Sequence, residues 1–363
     1  MKTKKTIIIT GTHLTPALEL IRQLKNDPKT NWQINYIGRK NNSSVDKTSS
    51  IESKIIPQIG INFYSINCGK LDRRWIPNTI KGLPQTANSI FEALFLIKKI
   101  KPNIIVSFGG YVSVPIIIGA FIKKIPSLTH EQTLTNSLTT KINSFFVNKV
   151  ALSFDNKIQK EKLPKNKIVI TGNLLRQEIF NPKKSKIGDS LEKINSNIIF
   201  ITAGNQGSHT INLLIKKILT NLKNYYIIHQ TGKIDFSSFK KLEKSNSNYH
   251  VFDYLEANDI GHIFNKAEII ISRSGANTSQ EIVALNKKSI LIPLKVSQQN
   301  EQLLNAFWVK EKNPKQTEII EEKDLNEEKL LSSINKLSLV KIDKKNIKNE
   351  NNLRLLNLIH EII

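Results

Sequence analysis

Short apolar runs of four to seven residues alternate with longer amphipathic stretches along most of the chain, and the alternation stops once and restarts. Runs such as Lys5–Thr10, Gln33–Ile37, Asn103–Phe108, Ser127–Thr129 and Val150–Phe154 read as strands, with helices at Pro16–Asn26, Thr86–Ile100, Pro115–Lys123 and Leu134–Phe146 between them. A second set follows: strands at Asn197–Ala203, Tyr225–His229, His250–Phe252, Glu268–Ser272 and Ser289–Pro293, and helices at Ser208–Leu222, Ala257–Asn265, Asn277–Leu285 and Glu301–Val309. Strand–helix alternation implies a parallel sheet with helices on both faces, and two sets imply two doubly wound α/β domains. The expected division is 1–176, a polar linker 177–196, a second domain 197–345, and a terminal helix 346–363 that packs back on the first domain. The apolar rhythm Leu353, Leu355, Leu356, Ile359 and Ile362 marks that helix.

Other architectures are excluded on simple grounds. The uncharged run Ile104–Ile122 has about the length that spans a bilayer. Gly109-Gly110 and Pro115 interrupt it and its first half is β-branched, so a buried strand, a turn and a short helix fit it better. The single cysteine, Cys68, rules out a disulfide framework or a Cys-rich zinc site. The formal charge of +24 attracts polyanions such as nucleic acid, anionic lipid or phosphorylated substrates. Part of that excess is a general Lys, Asn and Ile bias, and no nucleic-acid module or basic recognition helix accompanies it.

In open α/β sheets, ligands sit beyond the carboxyl ends of the strands. Thr10-Gly11-Thr12-His13 follows the first strand, where helix-terminal N–H groups suit a phosphate or oxyanion. His13 is there either a base for an attacking hydroxyl or a surface histidine beside a cap. Gly204-Asn205-Gln206-Gly207-Ser208 opens a later helix and is either a diphosphate cradle or an ordinary tight turn; no P-loop Lys-Ser/Thr follows it. Arg273-Ser274-Gly275 directs a positive charge at the same end of the second domain. Glu281 reads either as the last residue of a Thr278-x-x-Glu281 capping box or as a carboxylate for a vicinal diol. His130-Glu131-Gln132-Thr133 ends a strand as a polar rim, Arg176 closes the first domain, and Gln302 and Asn305 put amides on a late helix. Lys70, Arg73, Arg74 and Lys81 surround Trp75, Ile76 and Ile80, which suits an anionic membrane surface or, equally, a surface loop over a buried Trp75.

Taken in order, Gly109-Gly110-Tyr111-Val112-Ser113, His130-Glu131-Gln132, Gly172-Asn173-x-x-Arg176, Gly204-x-Gln206-Gly207, Arg273-Ser274-Gly275-Ala276 with Glu281, and Gln302-x-x-Asn305-Ala306 resemble the MurG family of glycosyltransferases. The resemblance covers nearly the whole chain. It implies two Rossmann-like domains facing across a cleft, the GT-B fold. It also implies inverting transfer of N-acetylglucosamine from UDP-GlcNAc to the 4-hydroxyl of undecaprenyl-diphosphate-linked muramyl-pentapeptide in peptidoglycan synthesis. The site it implies comprises His13 as base, with His130 as the alternative. Thr10, Gly11, Thr12 and Thr133 would face the acceptor. Arg176, Gly204, Asn205, Gln206, Gly207, Ser208, Leu255, Arg273, Ser274, Gly275, Glu281, Gln302 and Asn305 would face the donor. Arg73, Arg74, Trp75, Ile76 and Ile80 would meet an anionic membrane at the cytoplasmic face of the inner membrane, with the protein bound peripherally. No cofactor and no metal are expected, since no Asp-x-Asp motif is present. The first loop is shorter than the family's glycine-rich one, and Thr133 replaces its asparagine. The alternative activity is a UDP-GlcNAc epimerase or another sugar-nucleotide enzyme on the same fold.

Overall fold

The computed structural model describes residues 2–41, 49–68, 76–204, 206–295, 300–342 and 351–363; for 76–87, 158, 351 and 352 it describes the backbone. The chain forms two compact units, Met1–Leu174 with Glu350–Ile363, and Leu175–Asn349.

The first unit runs β1 (Thr3–Gly11), α1 (Leu14–Lys25), β2 (Thr30–Gly38), α2 (Ile51–Gln58), β3 (Asn62–Ser65), α3 (Ile76–Ile100), β4 (Ile104–Phe108), α4 (Ser113–Ile122), β5 (Ser127–Glu131), α5 (Leu138–Phe146), β6 (Lys149–Leu152), α6 (Lys157–Glu161) and β7 (Ile168–Ile170). Its seven strands lie in the order β3-β2-β1-β4-β5-β6-β7, and the pairs are parallel. The second unit runs α7 (Lys186–Leu191), β8 (Ile198–Thr202), α8 (His209–Ile218), β9 (Tyr226–Gln230), α9 (Lys233–Glu243), β10 (Tyr249–Phe252), α10 (Ala257–Lys266), β11 (Ile269–Ser272), α11 (Ala276–Ala284), β12 (Lys288–Leu291), α12 (Glu301–Lys312), β13 (Thr317–Ile319) and α13 (Glu327–Ser338). Its order is β10-β9-β8-β11-β12-β13, also parallel.

The strands are apolar on both faces because helices cover both. Along β1, Ile7 and Ile9 join one core cluster and Ile8 the opposite one. Ile199 and Ile201 of β8 likewise face away from Ile198 and Phe200. Each such buried side chain contributes about 1.5–3 kcal/mol. In each sheet the order reverses once, between β1 and β4 and between β8 and β11. A reversal leaves a crevice between the two loops that leave in opposite directions, which is where open α/β sheets bind ligands. The loops concerned are Gly11–His13 with Gly109–Gly110, and Gly204–Ser208 with Arg273–Gly275.

Several elements differ from their expected form. Helix α1 begins at Leu14, ahead of Pro16, because the first turn of a helix needs no intrahelical N–H donor. The 177–196 stretch is structured: a 3-10 turn at Gln177–Ile179 and α7 pack on α10, with Ile179 and Leu191 buried. The Asn265 amide donates to the Ile179 carbonyl at 2.8 Å. Strand β13 and helix α13 extend the second unit through a tail rich in Glu and Lys. The terminal helix α14 (Asn351–Ile362) packs on α1 through Leu355, Leu356, Leu358 and Ile359, while Leu353 points outward. Asp27, held below the ordinary carboxylate range chiefly by its hydrogen bonds and by His360, accepts from Trp32 Nε1 at 2.7 Å and pairs with His360 at 2.9 Å.

Candidate active site

At the reversal of the first unit, the loops after β1 and β4 touch backbone to backbone. The Thr12 N–H donates to the Gly109 carbonyl at 3.2 Å, and Tyr36 Oη donates to the Gly11 carbonyl at 2.8 Å. Gly11 and Gly110 are required here. Both have φ in the left-handed region, and a Cβ would lie 2.7 Å from the Phe108 carbonyl carbon or 2.3 Å from Thr12 Oγ1 respectively. His13 caps α1 with its backbone and makes no side-chain cap bond. Its ring lies over Gly109, where a Cβ would come within 3.5 Å of Cδ2. His13 is exposed as a residue, while burial of the ring by the surrounding protein lowers its pKa from 6.5 against the attraction of the Glu131 carboxylate.

His130 is buried instead of lining an open rim. Its Nε2 lies 3.0 Å from the Gly172 carbonyl and its ring packs 5.5 Å from that of Phe108. Burial drives its pKa down to about 4. The bond to Gly172 fixes the proton on Nε2, so Nδ1 carries the lone pair, and it has no partner among the described residues. Thr10 is fully buried at the end of β1, and its Oγ1 likewise has no partner among the described residues. Glu131, given no role by sequence reasoning, ties down the β5–α5 loop. Its carboxylate accepts from the Thr133 N–H at 3.2 Å and hydroxyl at 2.8 Å, and from the Ser137 N–H at 2.9 Å. Thr133 therefore serves that loop and remains half-exposed.

In the second unit, the β8–α8 and β9–α9 loops interlock through glycines. A Cβ on Gly207 would lie 1.8 Å from the Thr231 carbonyl oxygen, and one on Gly232 would lie 2.2 Å from that of Gln206. Gly204 differs: it has positive φ, and among the described residues nothing lies within 4 Å of a Cβ built on it. Gln206 is exposed beside it, and Asn205 lies outside the described residues.

Arg273 is engaged by protein partners. Its guanidinium is buried, donating to the Ile292 carbonyl at 3.1 Å, Ser208 Oγ at 2.8 Å and Glu322 Oε1 at 2.5 Å. The sequence shows the charge but not Glu322, which neutralises it from across the fold. Ser208, the N-cap of α8, thus binds Arg273 and makes no cap bond. Ser274 donates to the Gln302 carbonyl at 2.6 Å, Asn305 Nδ2 donates to the Ser274 carbonyl at 3.0 Å, and Gln302 Oε1 accepts from the Leu294 N–H at 2.9 Å. These amides hold the β11–α11 and β12–α12 loops in place.

Glu281 and Arg176, read separately from the sequence, form one bidentate pair: Nε to Oε1 at 2.6 Å and Nη2 to Oε2 at 3.0 Å. Glu281 is 1% exposed and Arg176 24%. The capping box is absent. The N-cap is Gly275, which puts Thr278 third and Glu281 sixth in α11, too deep to cap it. Leu255 is a core residue, 2% exposed, and neighbouring Tyr254 is exposed. Arg73, Arg74 and Trp75 lie outside the described residues. Ile76 and Ile80 belong to α3 by backbone, their side chains undescribed.

Comparison with known proteins follows this geometry. Residues 6–152 match the glycosyltransferase family 28 N-terminal domain and residues 198–361 the glycosyltransferase family 28 C-terminal domain. The UDP-N-acetylglucosamine--N-acetylmuramyl-(pentapeptide) pyrophosphoryl-undecaprenol N-acetylglucosamine transferase of Clostridium novyi is 35% identical over 370 aligned positions, covering 99% of this chain and 97% of that protein. That of Clostridium tetani is 34% identical over 368, with the same coverage. Among solved structures, Acinetobacter baumannii MurG superposes with a TM-score of 0.70 at 20% identity, covering 98% of this chain and 99% of that one. A UDP-GlcNAc 2-epimerase from Methanocaldococcus jannaschii gives 0.66 at 15%, covering 99% and 100%. The two structural likenesses show a shared two-domain fold; the full-length sequence identity separates transferase from epimerase.

Proposed function

The chain belongs to the MurG family within glycosyltransferase family 28, and from that premise we propose how its residues carry out transfer of N-acetylglucosamine from UDP-GlcNAc to undecaprenyl-diphosphate-linked muramyl-pentapeptide. The observation that carries the reading is the coincidence, in one unit, of the uncrowded, positive-φ Gly204 at the sheet reversal with the buried Arg176–Glu281 pair. Glu281 uses both oxygens on Arg176 and retains lone pairs for a ribose diol. The diphosphate rests on the N–H groups at the start of α8, which suit an anion. Gln302, Asn305 and Ser274 support the loops around the sugar nucleotide.

The first unit takes the acceptor at the Gly11–His13 and Gly109–Gly110 loops. His13 is neutral near pH 7, its pKa being lowered, and its lone pair accepts the proton of the attacking 4-hydroxyl. The C–O bond to UDP breaks as the new one forms, with inversion and no covalent sugar–enzyme intermediate. His130 is the weaker candidate because it is buried and engaged with Gly172.

The acceptor is a lipid, and the first unit carries an apolar surface suited to one. Phe91 and Phe95 of α3, Phe121 and Ile122 of α4 and Phe145 of α5 are exposed on neighbouring, mutually packed helices. Lys98, Lys99, Lys123 and Lys124 are exposed at the ends of the same helices. Apolar side chains beside basic ones suit a peripheral position on an anionic leaflet, each basic residue adding about 1 kcal/mol. Among the described residues, no helix is long and apolar enough to cross a membrane. On this reading the protein sits on the cytoplasmic face of the cell membrane.

Release of UDP from UDP-GlcNAc, followed with and without the lipid-linked acceptor and in EDTA, tests the assignment. Acceptor-dependent, chelator-resistant release is expected. UDP-ManNAc formed without acceptor would instead mark an epimerase.

A further inference from the structure

The second unit contains a chain of buried polar side chains that ends in solvent beside the Gly204–Ser208 loop. Tyr249 Oη lies 2.7 Å from His229 Nδ1, and His229 Nε2 lies 3.0 Å from Asn212 Oδ1. Asn212 Nδ2 donates to Asp235 Oδ2 at 2.7 Å and to the Thr231 carbonyl at 3.0 Å. The Asp235 carboxylate lies 2.9 and 3.0 Å from His209 Nδ1. The donors can be assigned in order. Asn212 gives both its N–H bonds away, so its Oδ1 accepts and His229 carries its proton on Nε2. His229 Nδ1 then accepts from Tyr249. Asp235 receives an N–H from Asn212 and the Nδ1–H of His209, and the ring of His209 is left with Nε2 outward. Asp235 and Asn212 are buried, whereas the His209 side chain is 67% exposed.

His209 is the first residue of α8, immediately after Ser208. The cations expected to meet the donor's diphosphate are both committed to carboxylates: Arg273 to Glu322 and Arg176 to Glu281. We propose that His209, oriented by Asp235, is a binding residue for the diphosphate of the sugar nucleotide, offering Nε2–H from an imidazolium whose other N–H is held by that carboxylate. The inference rests on the reading that the diphosphate occupies the Gly204–Ser208 loop. A diphosphate in front and the Asp235 carboxylate behind would each accept one N–H of the ring. Asp235 is the positioning residue. Held by Asn212 and, through it, by His229 and Tyr249, it fixes the ring without a conformational search at the moment of binding.

Calorimetric titration of the full chain with UDP and with uridine tests this, alongside hydrogen exchange of residues 203–209 with and without UDP. The His209→Gln variant is expected to bind UDP about tenfold or more weakly, as suits loss of a charge-assisted hydrogen bond, with uridine affinity within about twofold of wild type. His209→Arg is expected to restore UDP binding, because it returns the charge without needing Asp235. Asp235→Asn should lower UDP affinity less than His209→Gln does. If UDP slows exchange in 203–209 but His209→Gln binds it as tightly as wild type, the proposal is overturned and the loop reading stands. If UDP leaves exchange in 203–209 unchanged, the loop reading itself falls and the proposal with it. Equal weakening of uridine and UDP by His209→Gln would also overturn it, as the mark of a structural role.

Discussion

Removing the Glu281 carboxylate separates two accounts of that residue by magnitude. Were Glu281 a helix cap, Glu281→Ala would cost about 1 kcal/mol of stability. The structure instead puts it sixth in α11, paired bidentately with Arg176 at 2.6 and 3.0 Å. Deleting one partner of a buried ion pair leaves the other charge desolvated and uncompensated, at about 3–5 kcal/mol. Arg176 retains 24% exposure, so water partly re-solvates it and the lower end, about 3 kcal/mol, is expected. Replacing both with uncharged residues of similar length, Arg176→Met with Glu281→Gln, removes the stranded charge and should recover most of that loss. Donor binding should stay weakened in both, because the carboxylate proposed to take the ribose diol is gone. Urea-dependent hydrogen exchange of the β8 and β11 amides reports the stability of this unit, and calorimetry with UDP the binding. A cost near 1 kcal/mol for Glu281→Ala, strictly additive with Arg176→Met, would refute the ion-pair argument.

Three other outcomes follow. His13→Ala should lower turnover at least tenfold with UDP affinity nearly unchanged, and His130→Ala should do less; the acid limb of wild-type kcat/KM should fall below pH 6.5, since the base works unprotonated and its pKa is lowered. Burial holds His130 and His229 neutral, with pKa values of about 4 and about 3 against 6.5 unfolded, so the unfolded chain binds more protons below pH 6.5. Stability is therefore full above pH 6.5 and lost on acidification, roughly 2 kcal/mol per histidine by pH 5; urea unfolding that is equally stable at pH 7.5 and 5 would contradict this. Phe91→Ser with Phe95→Ser should reduce binding to anionic vesicles while sparing turnover of a short-chain soluble acceptor, and equal loss on both acceptors would make the patch structural.

The sequence pattern revealed elements more readily than partners. Strands such as Ile7–Ile9 and Ile198–Thr202 were legible because both faces are buried and the runs are short and β-branched. The strand order was not, because the β1–β4 and β8–β11 pairings join residues some 70 to 100 positions apart. The glycine loops were legible for a physical reason, since Gly11, Gly110, Gly207 and Gly232 sit where backbones meet. Charges misled when a distant carboxylate absorbed them. Arg273 shows its charge in the sequence but not its partner Glu322, and of the two readings open for Glu281 the cap rested on Thr278 three residues before it, a spacing that fits no cap once α11 starts at Ala276. Leu255 and His130 were placed at the right strand ends, but no local pattern tells a buried side chain there from an exposed one. The Asp235–His209 contact spans two helices, and the acid in the first turn of α9 was its only sequence trace.

The central claim is that the sugar leaves the nucleotide and arrives on the lipid by a single displacement. The direct measurement is to supply UDP-GlcNAc labelled in the sugar together with the undecaprenyl-diphosphate-linked muramyl-pentapeptide, then read where the label goes and the configuration of its new bond. The account predicts label on the lipid at the 4-hydroxyl, configuration inverted, with one UDP released per transfer. Label retained on the nucleotide as a 2-epimer, or transferred with retained configuration, would contradict it.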